Sequence, residues 1–125
     1  MPQITLEYTG NITQEIKAQA LFSKVHHVLE EVGGIRIENC KSRTIRLDDY
    51  YIANGETANA FLHLEIRFIE GRTPERKAEI GEQCLEFLEI YFAKSISSLN
   101  LQITVEIVDI HKQSYFKFPK GTLTP

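Results

Sequence analysis

The chain has 125 residues, 42% hydrophobic and 25% charged, and carries a formal net charge of −3. That length suits one compact domain or two small halves sharing a core, and the composition excludes a disordered chain, a collagen repeat or a coiled coil. With 14 basic against 17 acidic side chains there is no bulk positive field to gather nucleic acid, and no apolar run approaches the roughly 18–20 residues that span a bilayer.

Residues Gln3 to Tyr8 alternate, with Ile4, Leu6 and Tyr8 on one face and Gln3, Thr5 and Glu7 on the other, which predicts a half-buried strand. Gly10-Asn11 turns the chain into a helix, with Thr13 as its expected cap and Gln14 and Glu15 in its first turn. The apolar stripe Ala18, Leu21, Phe22, Val25, Leu29 and Val32 follows helical spacing, and Gly33-Gly34 stops it. A second strand is expected over Lys41 to Leu47, with Arg43, Ile45 and Leu47 facing one way. Asp48 to Glu56 then reads as a connection with an Asn54-Gly55 turn.

The pattern then repeats. Ala60, Leu62, Leu64, Ile66 and Phe68 alternate with Phe61, His63, Glu65 and Arg67, and Gly71-Arg72 turns the strand. Thr73-Pro74-Glu75 supplies a cap, a proline for the first helical position and an acid for the dipole. The helix that follows carries Ile80, Cys84, Phe87, Leu88, Tyr91 and Phe92 on its core face, continuing to Ile96 and Leu99. A last strand holds Leu101, Ile103, Val105 and Ile107. The tail from His111, with Tyr115, Phe116 and Phe118, is expected to be extended and too aromatic for a solvated linker. The fold class is therefore α+β, a two-layer arrangement of two β-α-β units: a four-stranded sheet with both helices on one face. The expected domain is single, 1–125, with pseudo-repeat halves of about 1–58 and 59–125. The opposite sheet face, with Gln3, Thr5, Glu7, His63, Glu65, Gln102, Thr104 and Glu106, is left to water or to sister subunits.

Few single residues carry chemistry. Met1 to Glu7 lacks the basic region and apolar core of a secretory signal, and Cys40 and Cys84 read as free thiols in a reducing cytosol. His26-His27 are adjacent on a helix, whereas helical metal pairs want a separation of three or four. His63 reads as a surface hydrogen-bonding residue and Cys84 as a small buried apolar one. Lys41 beside Cys40 can lower that thiol's pKa, but no His or Asn signature accompanies it. What remains is Pro2. Its plain role is as a first strand residue, where no amide need be donated. If Met1 is removed, it becomes a free secondary amine. Burial and nearby cations push such an amine below its usual 7.7–8.0, leaving a neutral base at pH 7.

The stretches Met1-Pro2, Asn11-Ile12, Leu21-Phe22-Ser23-Lys24-Val25, Ser42-Arg43, Ala53-Asn54-Gly55, Ala60-Phe61-Leu62-His63, Gly71-Arg72, Val105-Glu106-Ile107 and His111 with Phe116-Lys117 resemble, in order and spacing, the 5-carboxymethyl-2-hydroxymuconate Δ-isomerase family of the tautomerase superfamily. Independently, Ile69 to Lys77 is similar to the strand-to-helix turn of the shorter 4-oxalocrotonate tautomerases, in which the arginine binds substrate carboxylate. The chain looks like two such units fused. The strand position in the second half that would match the short proteins' proline is the internal Leu62, and the first half has no arginine in its turn. One site per chain follows, with Pro2 from the first half and Arg72 from the second.

The resemblance implies an isomerase that ketonises 5-carboxymethyl-2-hydroxymuconate, with Pro2 as proton shuttle and Arg72 as a carboxylate clamp. It implies a second clamp at Lys41, where the family has arginine, or at Arg43, two residues on and on the same strand face. Lysine keeps the charge but cannot make a planar two-point contact. Tyr51, Phe61 and Tyr115 are candidate pocket walls. No metal or organic cofactor is implied. The partners implied are a polycarboxylate substrate and sister subunits of a homotrimer, with no nucleic acid and no membrane, in cytoplasmic breakdown of aromatic acids such as homoprotocatechuate. Three rival readings stand beside it: a relative acting on another dienol or haloacid, a non-catalytic ferredoxin-like binding module, and a chain that keeps Met1 and so has no basic Pro2.

Overall fold

The computed structural model describes residues 1–123. Its elements run β1 (Gln3–Thr9), α1 (Ala18–Glu31), β2 (Lys41–Leu47), β3 (Asn59–Ile69), α2 (Pro74–Tyr91), α3 (Ala93–Ser98) and β4 (Asn100–Ile110). The four strands form one sheet in the order β2-β1-β3-β4, with β1 parallel to β2, β3 parallel to β4, and the two pairs joined by the antiparallel contact of β1 with β3. Each β-α-β unit thus keeps its two strands adjacent. In a ferredoxin-like module the corresponding unit is split by another strand, so pairing, which element order alone leaves open, excludes that rival fold.

The alternation seen in the sequence becomes the two faces of this sheet. Ile4, Leu6, Leu62, Leu64 and Ile66 are fully buried beneath Leu21, Val25 and Leu29 of α1 and Ile80, Cys84 and Leu88 of α2. Each large side chain so buried contributes about 1.5–3 kcal/mol of transfer free energy. The opposite face carries the polar residues expected of it. There His63 bonds to Thr104 at 2.6 Å and Glu106 at 3.2 Å, a surface network rather than a ligand set. Arg43 lies opposite Thr5 and Ile45 opposite Glu7, so the outward side of β2 continues that face.

Three local expectations need correction. First, α1 begins at Ala18 with Lys17 at its cap position and no side-chain cap, so Thr13 caps nothing. Residues 13–17 are held in a non-helical path by tertiary bonds: the Gln14 amide donates to the Tyr91 carbonyl at 2.7 Å and its oxygen accepts from Ser95 Oγ at 2.7 Å, while Lys17 N donates to the Tyr91 hydroxyl at 3.0 Å. Second, the long second helix breaks at Phe92, and the rotation this introduces buries Ser95 and leaves Ile96 43% exposed. Third, the tail turns through a short 3₁₀ segment, Lys112–Ser114. Beyond it Tyr115 packs against the cluster of Met1, Ile69 and Ile110, whereas Phe116 and Phe118 stand 88% and 94% exposed, since no other surface among the described residues covers them.

The start of α2 forms as its sequence dictates. Thr73 Oγ1 accepts from the Arg76 amide at 3.1 Å, Pro74 opens the helix, and Glu75 lies in the first turn. Thr73→Ala is expected to cost about 1 kcal/mol, the usual worth of such a cap, whereas Leu64→Ala, deleting a fully buried side chain, is expected to cost about 2–5 kcal/mol. Urea midpoints of the two variants check both the size and the order of these losses.

Candidate active site

The antiparallel register of β1 with β3, Gln3 opposite Arg67, brings the N-terminus beside the end of β3 and so beside the turn that carries Arg72. Met1 is 7% exposed and packs on Ile69 and Ile110. Its amine donates to the Asn39 carbonyl at 2.7 Å, and Lys41 Nζ donates to the same oxygen at 2.9 Å. The Lys41 amide in turn donates to the Pro2 carbonyl at 3.0 Å, tying the segment before β1 to the start of β2.

A cavity of about 40 Å³, space for roughly one water, lies between Pro2, Ile35, Arg36, Phe68 and Arg72, with Met1 in its wall. Arg72 is fixed there by several contacts. Its Nε donates to the Gly33 carbonyl at 2.7 Å, and its guanidinium sits 4.9 Å from the Phe68 ring centre, a cation–π distance. Arg76 Nη1 donates to the neighbouring Val32 carbonyl at 2.8 Å. Both arginines therefore satisfy carbonyls left free at the C-terminal end of α1, where the helix dipole favours cations. Gly34, at φ +65°, lets the chain reverse there, and the Ile35 amide folds back onto the Leu29 carbonyl at 3.1 Å. Gly33 cannot carry a side chain, because a Cβ would lie 2.7 Å from that same carbonyl oxygen.

The electrostatics of this corner are one-sided. Desolvation lowers the Arg72 pKa, and the Arg76 charge lowers it further. Among the described residues no carboxylate forms an ion pair with Arg72. Burial, then the hydrogen bond and charge of Lys41, then the charge of Lys117, bring the terminal amine from 8.0 to about 5, with Cys40 opposing them. These causes together favour the neutral form of the Met1 amine at pH 7. Burial pushes the Cys40 thiol up to about 11 despite the nearby amine and Lys41.

Pro2 and Arg72 thus share one cavity. Lys41 does not line it; its ammonium donates to the carbonyl of Asn39, which does. Arg43 points along the open sheet face and donates to the Gln3 side chain, whose amide donates to the Tyr115 hydroxyl at 2.9 Å. Of the three candidate aromatic walls only Tyr115 lies near the terminus. Tyr51 is 77% exposed in the β2–β3 connection, and Phe61 sits at the far end of β3, where its amide meets Thr9. Sequence reasoning missed Phe68, which reads simply as a core strand residue, and Arg36, which follows a glycine pair recognisable only as a helix stop.

Comparison with known proteins bears on this geometry. The model of the 5-carboxymethyl-2-hydroxymuconate isomerase family matches residues 2–120. The chain belongs to that family. It is 29% identical over 117 residues to the 5-carboxymethyl-2-hydroxymuconate Delta-isomerase of Escherichia coli, spanning 94% of this chain and 93% of that protein. It superposes with a TM-score of 0.84 and 28% identity on the crystal structure of a 5-carboxymethyl-2-hydroxymuconate isomerase from Deinococcus radiodurans R1, covering 98% of this chain and 90% of that one. A fused 4-OT symmetric trimer superposes with a TM-score of 0.70 at 16% identity, covering 97% and 95% of the two chains, which shows the shared tautomerase fold. The family is one of isomerases, and the sheet with helices on one face is the tautomerase architecture that the resemblance implied.

The environment of the terminus makes a direct prediction. In protein that keeps Met1, acylation of the terminal amine should titrate with a midpoint near 5, reaction failing as pH drops through it. Lys41→Met should move that midpoint upward, since both Lys41 contributions oppose protonation. A midpoint near 8 in the unsubstituted chain would mean that the terminus is solvated.

Proposed function

We propose that the chain ketonises 5-carboxymethyl-2-hydroxymuconate, using Pro2 as proton carrier once Met1 has been removed. Removal frees a secondary amine and vacates the space that Met1 occupies beside Arg72. The neutral amine takes the proton of the 2-hydroxyl; the electrons of that O–H bond form the C2 carbonyl, the double bonds shift by one position, and the distant carbon takes a proton from the prolinium. The product is the conjugated ketone, and the amine returns to its neutral form. Arg72 pairs with a substrate carboxylate through its remaining guanidinium N–H groups, and its charge helps to keep the amine unprotonated. Lys41 adds positive charge beside Asn39 and the terminus. Arg43 reaches the site only through Gln3, unless substrate or a sister subunit rearranges it.

The observation that carries this reading is Arg72 itself: a half-buried guanidinium with no carboxylate partner among the described residues, lining one cavity with Pro2 at a terminus where burial and Lys41 already disfavour protonation of the Met1 amine. A half-buried guanidinium with N–H donors left over and no counter-ion is suited to take a carboxylate. The reading includes a homotrimer in the cytoplasm, acting in the catabolism of aromatic acids. The bare polar sheet face and the exposed Phe116 and Phe118 are surfaces that sister subunits would cover.

The test is an ultraviolet time course of dienol loss on protein whose N-terminus is confirmed as Pro2. General-base catalysis is worth about 10²–10⁴-fold. A chain made to keep Met1 should lose that whole factor, and Pro2→Ala, which keeps a freer primary amine, about the lower part of it. Activity indifferent to both changes would remove the mechanism. The acid limb of kcat/KM should fall well below 8, with activity lost as pH drops through it. Arg72→Ala should raise KM for the tricarboxylate by about 10- to 100-fold, the worth of one charge-assisted pair, and change KM for a monoacid dienol less. Equal effects on the two would argue against a clamp. Inactivity towards this dienol, with Pro2 free, would redirect the search to other dienols and haloacids.

A further inference from the structure

We propose that Arg36 is a second carboxylate-binding residue of this site, facing Arg72 across the cavity at Pro2. The inference deepens the proposed reaction and takes its substrate class, a polycarboxylate, from that reading.

Arg36 lines the same cavity as Pro2 and Arg72, whereas neither Lys41 nor Arg43 does. Its guanidinium makes no hydrogen bond or ion pair among the described residues, and Glu38, two positions on, forms no ion pair with it. Arg43 donates to Gln3, and Lys41 donates to the Asn39 carbonyl. Arg36 is the cation on this wall with all its N–H donors free.

Its backbone is well anchored although its side chain is exposed. Ile35, just before it, is buried at 7% exposure. Arg36 itself is extended at φ −74° and ψ 126° and opens the 3₁₀ segment Ile37–Asn39, accepting from the Asn39 amide at 3.0 Å. The far end of that segment, Asn39, holds the terminal amine at 2.7 Å. One short segment thus sets both the amine and Arg36. Arg72 is set by Gly33, three residues before Arg36, so the two residues line the cavity from a common support.

Two planar forks can each take a carboxylate in two-point fashion, which a lysine cannot. Arg36 therefore supplies the geometry that Lys41 lacks, while Lys41 is left to hold Asn39 and oppose protonation of the amine. A substrate bridging Arg72 and Arg36 would have two carboxylates fixed, with its reacting carbons held over Pro2.

The experiment measures binding separately from turnover, on full-length protein with a free Pro2. Calorimetric titration with tricarballylate, an unreactive tricarboxylate, should give a Kd raised about 10- to 100-fold by Arg36→Gln, with a smaller change in Lys41→Met and little change for propionate in either variant. In the ultraviolet assay Arg36→Gln should raise KM for 5-carboxymethyl-2-hydroxymuconate and leave kcat within about threefold. An unchanged tricarballylate Kd in Arg36→Gln, a larger loss in Lys41→Met, or no tricarballylate binding by the unsubstituted protein would overturn the assignment. Tricarballylate binding that depends on Arg36, in protein that does not ketonise the dienol, would uphold Arg36 as a carboxylate ligand and reject the reaction.

Discussion

Everything at the candidate site depends on the antiparallel pairing of β1 with β3. Each half of the chain is a β-α-β unit with its own parallel pair, and neither holds both a terminal amine and an arginine turn. Joining them through β1 and β3, with Gln3 opposite Arg67, runs the first strand backwards along the third. The start of one strand then lies at the end of the other, which puts Met1 and Pro2 beside Phe68, Ile69 and Arg72. Burial enforces the register. A slip by one residue would turn Ile4 and Leu6 to the polar face and expose two fully buried side chains.

The same packing explains why a chain of net negative charge holds a corner of positive charge. The end of α1 presents free carbonyls at Val32 and Gly33, and Arg76 and Arg72 from the next unit cap them. The site's cation is thus held by a helix terminus and an aromatic ring rather than by a carboxylate, which leaves its charge available to a ligand. An acidic partner in that position would have fixed the arginine equally well and neutralised it. The Met1 amine is likewise without a carboxylate partner among the described residues: it donates to the Asn39 carbonyl, while burial and the charges of Lys41 and Lys117 outweigh that contact and disfavour its proton.

Where local sequence signals failed, tertiary bonds had overruled them. Thr13 has a capping side chain followed by polar residues, yet Gln14 is drawn to Tyr91 and Ser95 across the molecule, and helix begins only at Ala18. The apolar spacing of the second helix continues past Phe92, but its last turn belongs to a separate short helix that buries Ser95 in place of Ile96. By contrast Thr73-Pro74-Glu75 folds as read, because cap, proline and acid act within a single turn and need no distant partner.

Alternation at a period of two and apolar spacing at three and four were enough to determine the strands, both main helices and the buried faces of the helices and of β1 and β3, because those patterns record where each side chain meets water; β2, an edge strand with Ile45 on the open face, is the exception. Pro2 stood out in the sequence through its place at a chain terminus, and Arg72 through the resemblance of its strand-to-helix turn to that of the short tautomerases. Order alone could not say which strands pair, and so left a ferredoxin-like sheet open. That choice belongs to contacts between β1 and β3, more than fifty residues apart in the chain. Nor could it single out Arg36, or separate Lys41 from Arg43, since all are cations in one stretch of chain. Only the folded chain ties Lys41 to Asn39 and Arg43 to Gln3 and brings Arg36 into the lining of the cavity, because these placements depend on which backbone lies next to each residue.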